Sequence, residues 1–368
     1  MVKKSLFGTL LAIMIASVCL LPACAKDAGA PKDKDAQWQK HIEQGTAYAA
    51  EEKWDEAISE FTTAIKLNPR AATAYNNRGW AYANKGDIQK ALADLNKAIE
   101  LDPKMVQAYY NRGLIYRFSG DPQKAIADFT RCIELDPTNF MAYNDRGSAY
   151  TDINELDSAL ADYNTAIRLR PDYTLGYYNR SLVLRAQGDW GRAIADLQKV
   201  IELEPEIAPQ INKEIALIYN QRGIEYGSKG HVESALADFT KAIELDPELA
   251  EAYYNRGTVY NSQQKWEQGI ADLTKAIELR PDLARAYNNR GSAYNNQGKY
   301  DLALADLNKA IELDPKYVLA YYNRGNVHAS LGNRAQAIAD FNKVVELSQD
   351  ESLVNAARQR LSELQKGQ

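Results

Sequence analysis

Eight arginines and eight aspartates stand sixteen residues apart along this 368-residue chain. The pairs are Arg78 and Asp94, Arg112 and Asp128, Arg146 and Asp162, Arg180 and Asp196, Arg222 and Asp238, Arg256 and Asp272, Arg290 and Asp306, and Arg324 and Asp340. A guanidinium fork and a carboxylate form two parallel hydrogen bonds, so the spacing predicts a structural ladder of ion pairs. Immediately before each arginine lies an amide or an acid: Asn77, Asn111, Asp145, Asn179, Gln221, Asn255, Asn289 and Asn323. Side-chain amides donate and accept at once. That suits them to hold an extended peptide by its backbone, and equally to bond locally. One residue earlier, Asn76, Tyr110, Asn144, Tyr178, Asn220, Tyr254, Asn288 and Tyr322 alternate. The alternation either records duplication of a two-repeat unit or builds a row of aromatic and amide groups for a peptide or a sugar chain.

Little else could do chemistry. The three histidines, His41, His231 and His328, fall at different places in the pattern and form no relay, and no glycine-rich phosphate loop is present. No enzyme, cofactor or metal site is expected. With 44 basic and 49 acidic residues the chain carries −5, which argues against nucleic acid as a partner because that needs a concentrated basic surface. Cys19, Cys24 and Cys132 do not make a disulfide framework. Cys132 occupies a slot otherwise held by Ala or Val and reads as a small buried hydrophobe.

The elements that position these groups follow from a period of 34 residues, with first positions at 38, 72, 106, 140, 174, 216, 250, 284 and 318. In the second copy Tyr75, Gly79 and Tyr82 share one helical face, Gly86-Asp87 breaks the helix, and Ala91, Leu95, Ala98 and Leu101 share the face of a second helix closed by Pro103. Two amphipathic helices per copy, nine times over, predict an all-α fold, an α-solenoid whose units bury their core against their neighbours. Residues 38–207 hold five copies, 208–215 are an insertion, 216–351 hold four copies, and 352–368 form a capping helix and tail. Ser348-Gln349-Asp350-Glu351 reads as a capping box before that last helix. The insertion either lengthens the next helix, with Ile211, Ile215 and Ile218 on one face, or bulges as a loop. It is a candidate bend or homodimer contact.

Tyr at position 4, Gly at 8, Tyr at 11, Ala at 20, Phe or Leu at 24, Ala at 27 and Pro at 32 resemble the tetratricopeptide repeat. The resemblance implies a right-handed superhelix whose first helices line a concave groove. Ser181 and Leu184 in copy five, and His328 and Gln349 in copy nine, depart from it. The arginine at position 7 stands where the family is usually apolar; copy one has Gln44 there and Glu60 at 23. The asparagines at position 6 resemble the ladder by which O-linked N-acetylglucosamine transferase holds a peptide backbone. Copies two to five place Trp80, Leu114, Arg117, Phe118, Met141, Leu175, Leu182 and Arg185 along the expected groove, with Tyr110 and Tyr178. Copies six to nine place polar residues such as Glu251, Thr258, Ser292 and Asn326 there, with Tyr254 and Tyr322. The main contact is therefore expected in copies two to five. No lysine occupies these positions, so the carboxylate clamp of chaperone-binding relatives is absent.

Residues 1–23 read as an export signal, with Lys3, Lys4 and an apolar run from Leu6 to Leu21. Leu21-Pro22-Ala23-Cys24 resembles the lipobox of bacterial lipoproteins. That implies cleavage before Cys24 and lipidation of it, and Ala25 after it resembles outer-membrane sorting. An uncleaved anchor is the alternative, since the run could just span a bilayer. Residues 24–37 then read as a disordered tether. The function expected is a lipid-anchored scaffold of the bacterial envelope that binds a protein or peptide segment. The alternative is a carbohydrate-associated or structural component of a polysaccharide export machine.

Overall fold

The computed structural model describes residues 32–366. The expected export signal, Cys24 and most of the tether lie outside the described residues. Among the described residues there are nineteen α-helices, one short 3₁₀ turn and no strand. In copies one to four, α1 (Lys32–Ala50) packs on α2 (Trp54–Leu67), α3 (Ala72–Asn84) on α4 (Ile88–Leu101), α5 (Val106–Phe118) on α6 (Pro122–Leu135), and α7 (Phe140–Asp152) on α8 (Leu156–Leu169). Copy five supplies α9 (Thr174–Ala186) and α10 (Trp190–Leu203). A 3₁₀ turn at Pro205–Ile207 follows. Copies six to nine are α11 (Ala208–Ser228) on α12 (Val232–Leu245), α13 (Ala250–Ser262) on α14 (Trp266–Leu279), α15 (Ala284–Asn296) on α16 (Tyr300–Leu313), and α17 (Val318–Ser330) on α18 (Arg334–Leu347). The last element is α19 (Glu351–Lys366).

The chain divides after Gln187 into two compact units, each an α-solenoid of stacked helix pairs. The division falls between the two helices of copy five and not at the insertion. Within each unit the first helices touch their counterparts in the adjacent copies, and the second helices make no comparable contact. The first helices are therefore the inner, closer-set layer.

Local chemistry sets the helix ends. Gly86 adopts φ +83°, and the N–H groups of Gly86 and Asp87 each donate at 2.9 Å to carbonyls of the helix just ended, at Ala83 and Tyr82. Copies one, four and seven put Glu52, Asn154 and Gln264 at the same position, held at φ 57°, 62° and 60° despite the steric cost of a Cβ there. After each second helix an Asp-Pro or related pair turns the chain; Asp102 accepts the Lys104 N–H at 3.0 Å. Stacking follows from the apolar stripes. Ala91, Leu95 and Ala98 of α4 are buried together with Ala108 and Ile115 of α5, so copy two closes its core on copy three. Gly113 of α5 lies under the fully buried Phe129 ring of α6, where a Cβ would sit 2.8 Å from Cε1.

Two expectations change at the ends, and the two alternatives for the insertion reduce to one. Residues 32–37 of the tether are helical, because this run holds no glycine or proline to stop α1 from extending backwards. The insertion lengthens α11 into one 21-residue helix, since Pro209 suits a first turn and Ile211, Ile215 and Ile218 are all buried. Before α19 the cap is Asp350 and not Ser348: its Oδ1 accepts the Ser352 N–H at 2.8 Å, and the helix starts only at Glu351. Ala357, Leu353, Leu361 and Leu364 of α19 cover the open core of copy nine around Phe341 and Val344.

Gly113→Ala should lower stability by about 1–2 kcal/mol, overpacking against Phe129 outweighing the gain in helix propensity. Urea unfolding checks this, and an unchanged or raised midpoint would show that the ring can yield.

Candidate functional site

The arginines of position 7 project from the first helices toward the second. Arg112 Nε and Nη2 donate to Asp128 Oδ2 and Oδ1 at 2.8 and 2.7 Å. The same fork joins Arg78 to Asp94, Arg146 to Asp162, Arg222 to Asp238, Arg256 to Asp272, Arg290 to Asp306 and Arg324 to Asp340, all at 2.7–2.9 Å. Arg180 and Asp196 are divided between the two units. Hydrogen bonding to Asp128 raises the Arg112 pKa above its ordinary value, against the desolvation that opposes it. The remaining nitrogen reaches the preceding copy. Nη1 of Arg78, Arg146, Arg256 and Arg290 donates to Thr62, Thr130, Thr240 and Thr274 at 3.0–3.1 Å. Nη1 of Arg112, Arg180 and Arg324 donates to Asn96, Asn164 and Asn308 at 2.6 Å. A run of Thr or Asn at position 25 was the readable signal for this third bond. In copy one the partner of Glu60 is His41, whose Nδ1 lies 2.5 Å from Oε2.

The amides of positions 5 and 6 bond to one another across copies. Asn111, Asn179, Asn255 and Asn323 each donate to the asparagine of position 5 one copy earlier, Asn76, Asn144, Asn220 and Asn288, at 2.9–3.0 Å. Where position 5 is tyrosine the hydroxyl takes over: Tyr110 donates to Asp145 at 2.5 Å, and Asn289 donates to Tyr254 at 3.3 Å. Asn76, Asn144 and Asn288 also donate to their own neighbours Asn77, Asp145 and Asn289 at 3.0–3.1 Å. The alternation of Asn and Tyr is thus a hydrogen-bonding pattern within the array. Two expected groove residues are corrected outright: Tyr110 and Asn111 are 3% and 1% exposed and face no solvent.

A few side chains of the inner layer stay accessible. In the first unit Phe118 is 60% exposed, with the Arg117 guanidinium 6.0 Å from its ring centroid. Arg117 Nε donates to Asp152 Oδ2 at 2.7 Å. Arg185 is exposed, Trp80, Leu175, Tyr178, Asn179 and Leu182 are half-buried, and Leu114 and Met141 pack against the core around Phe129. In the second unit Tyr322 packs on the core around Phe341, and Arg285 stacks on Tyr254 at 4.5 Å. Glu251 pairs with Arg280. The second unit is also less polar than expected. Leu217, Ile224 and Leu319 are 42%, 41% and 45% exposed; two of them ride on α11, away from its buried Ile211, Ile215 and Ile218.

Cys132 is fully buried, and burial pushes its thiol pKa well up. Burial likewise lowers the His328 pKa. Among the described residues no group of His, Cys, Asp and Glu is arranged to hold a metal ion, and no helix is long and apolar enough to cross a membrane.

Family models described as tetratricopeptide or TPR repeats match residues 42–106, 106–139, 129–161, 147–184, 174–207, 223–261, 257–298, 291–332 and 318–351. No curated protein matches the chain. Among solved structures, MamA is 26% identical, covering 45% of this chain and 96% of its own, with a TM-score of 0.41. YrrB, described as a TPR protein with an unusual peptide-binding site, is 23% identical over 63% of this chain and 97% of its own, with a TM-score of 0.34. The C-terminal part of a TPR repeat-containing protein from Cytophaga hutchinsonii is 17% identical over 67% and 98%, with a TM-score of 0.52. At that identity the likeness bears on the fold alone.

Asp128→Ala leaves Arg112 partly buried without its carboxylate and should cost about 3 kcal/mol in chemical unfolding. A change within error would mean that solvent already screens the pair.

Proposed function

The chain belongs to the tetratricopeptide repeat family, and from that membership we propose that it is a non-enzymatic scaffold binding an extended protein segment on the inner face of its first unit. The observation that carries this reading is Phe118. It is a large aromatic side chain mostly open to solvent on the inner layer, and aromatic and arginine side chains dominate binding energy at interfaces. Arg117 lies against its ring and Arg185 is exposed farther along the same layer. The inner amides contribute less than their number suggests, because their mutual bonds already satisfy much of their capacity. We further propose that Cys24 carries lipid and tethers the array to a bacterial envelope membrane, facing the periplasm from the outer membrane. The lipobox-like Leu21-Pro22-Ala23-Cys24 after an apolar run supports this, and several acyl chains suffice for stable anchoring.

A photo-cross-linking amino acid at position 118, used in intact cells, should capture a protein. Phe118→Ala should then weaken binding of that protein by about tenfold or more. Glycan retained without any protein adduct, or capture from position 224 and not 118, would overturn the assignment. Cys24→Ala should move the full chain from the membrane to the soluble fraction; continued membrane association would favour an uncleaved anchor.

A further inference from the structure

Within the inner network one rung carries an acid where its counterparts carry amides. Asp145 of α7 is 2% exposed. Its Oδ2 accepts from the Tyr110 hydroxyl of α5 at 2.5 Å, and its Oδ1 accepts from Asn144 Nδ2 at 3.1 Å. Arg117, the nearby cation on α5, has its ion pair with Asp152 instead. The matching rung of the second unit is built from Tyr254 and Asn289 and runs in the opposite sense, with the amide donating to the hydroxyl. An amide completes such a rung without charge. A carboxylate there is either protonated, and then able to donate to the hydroxyl as Asn289 does, or it leaves a charge in a site nearly closed to water.

We propose that the junction between copies three and four is an acid-set joint, closed when Asp145 is neutral and loosened when it ionises. The groups around it offer little to balance a charge. Tyr110 and Arg117 face it from α5, Cys132 from α6 and Tyr163 from α8, and Tyr173 from the turn before α9. Burial holds the Cys132, Tyr163 and Tyr173 groups in their neutral forms. Arg117 is the single cation among them and acts at longer range than an ion pair. Burial pushes the Asp145 carboxyl above its ordinary value, opposed by the Tyr110 hydrogen bond, Arg117 and Asn144. The sign follows: with the folded value raised, the joint's stabilisation is fully present below the unfolded carboxyl value and is lost as pH rises through the folded one.

The test uses the full chain. Carboxyl-carbon NMR should give Asp145 a titration midpoint above the ordinary carboxylate range; a midpoint in or below that range overturns the proposal. Amide hydrogen exchange of α5 and α7, corrected for intrinsic rates, should show protection falling as pH rises past the ordinary carboxylate range. Each unit of upward pKa displacement corresponds to about tenfold. Asp145→Asn should hold that protection level and exceed the native chain at the alkaline end, by the factor that the measured midpoint implies. Matching profiles for the two proteins, or weaker protection in Asp145→Asn at about pH 8, would show that the ionised carboxylate is the stable form.

Discussion

A guanidinium placed between two layers of helices must find a carboxylate, and that requirement organises this array. Arginine at position 7 replaces an apolar packing residue by a charge that is only partly solvated. The aspartate sixteen residues on neutralises it through two hydrogen bonds, tying the first helix of a copy to its second. The third nitrogen then bonds to Thr or Asn on the second helix of the copy before. One side chain thus joins three helices, and the tyrosines of positions 4 and 11 flank it at under 6 Å. Removing either partner costs more than the intact pair contributes, because an unpaired charge remains in a partly buried site.

The inner layer obeys the same rule in neutral form. Amides at positions 5 and 6 satisfy one another between copies, so the polar character of the inner face belongs mainly to stacking. Binding energy must then come from the few side chains left open. Phe118 in the first unit and Leu217 and Ile224 in the second stand out for that reason. Asp145 is the exception within the network, a buried titratable group at a place where copies two, three and five to nine carry amides.

The helix pairs were legible because the apolar residues recur at helical spacing and a Gly at position 15 marks the break in six of the nine copies. Arginine and aspartate could be paired from sequence because copy one departs at both positions together, with Gln44 and Glu60. The amide network was not readable with the same certainty. Position 6 of one copy meets position 5 of the copy before, a relation 35 residues long that depends on how the first helices stack. For the same reason Tyr110 and Asn111 read as groove residues although they are buried. Leu217 and Ile224 were not legible as exposed because α11 is apolar on two faces, and only the stacking decides which of them is covered. The cap at Asp350 differs from the expected Ser348 by two residues, a distance that propensity alone does not resolve.

The most direct test of this account is a double-mutant cycle between Arg112 and Asp128, using Arg112→Met and Asp128→Ala. If the fork holds copy three together, the two changes are strongly non-additive, with a coupling of roughly 2–3 kcal/mol, and the aspartate change loses most of its effect once the guanidinium is gone. Additive effects within about 0.5 kcal/mol would contradict it, and would leave the array to be held by apolar stacking alone.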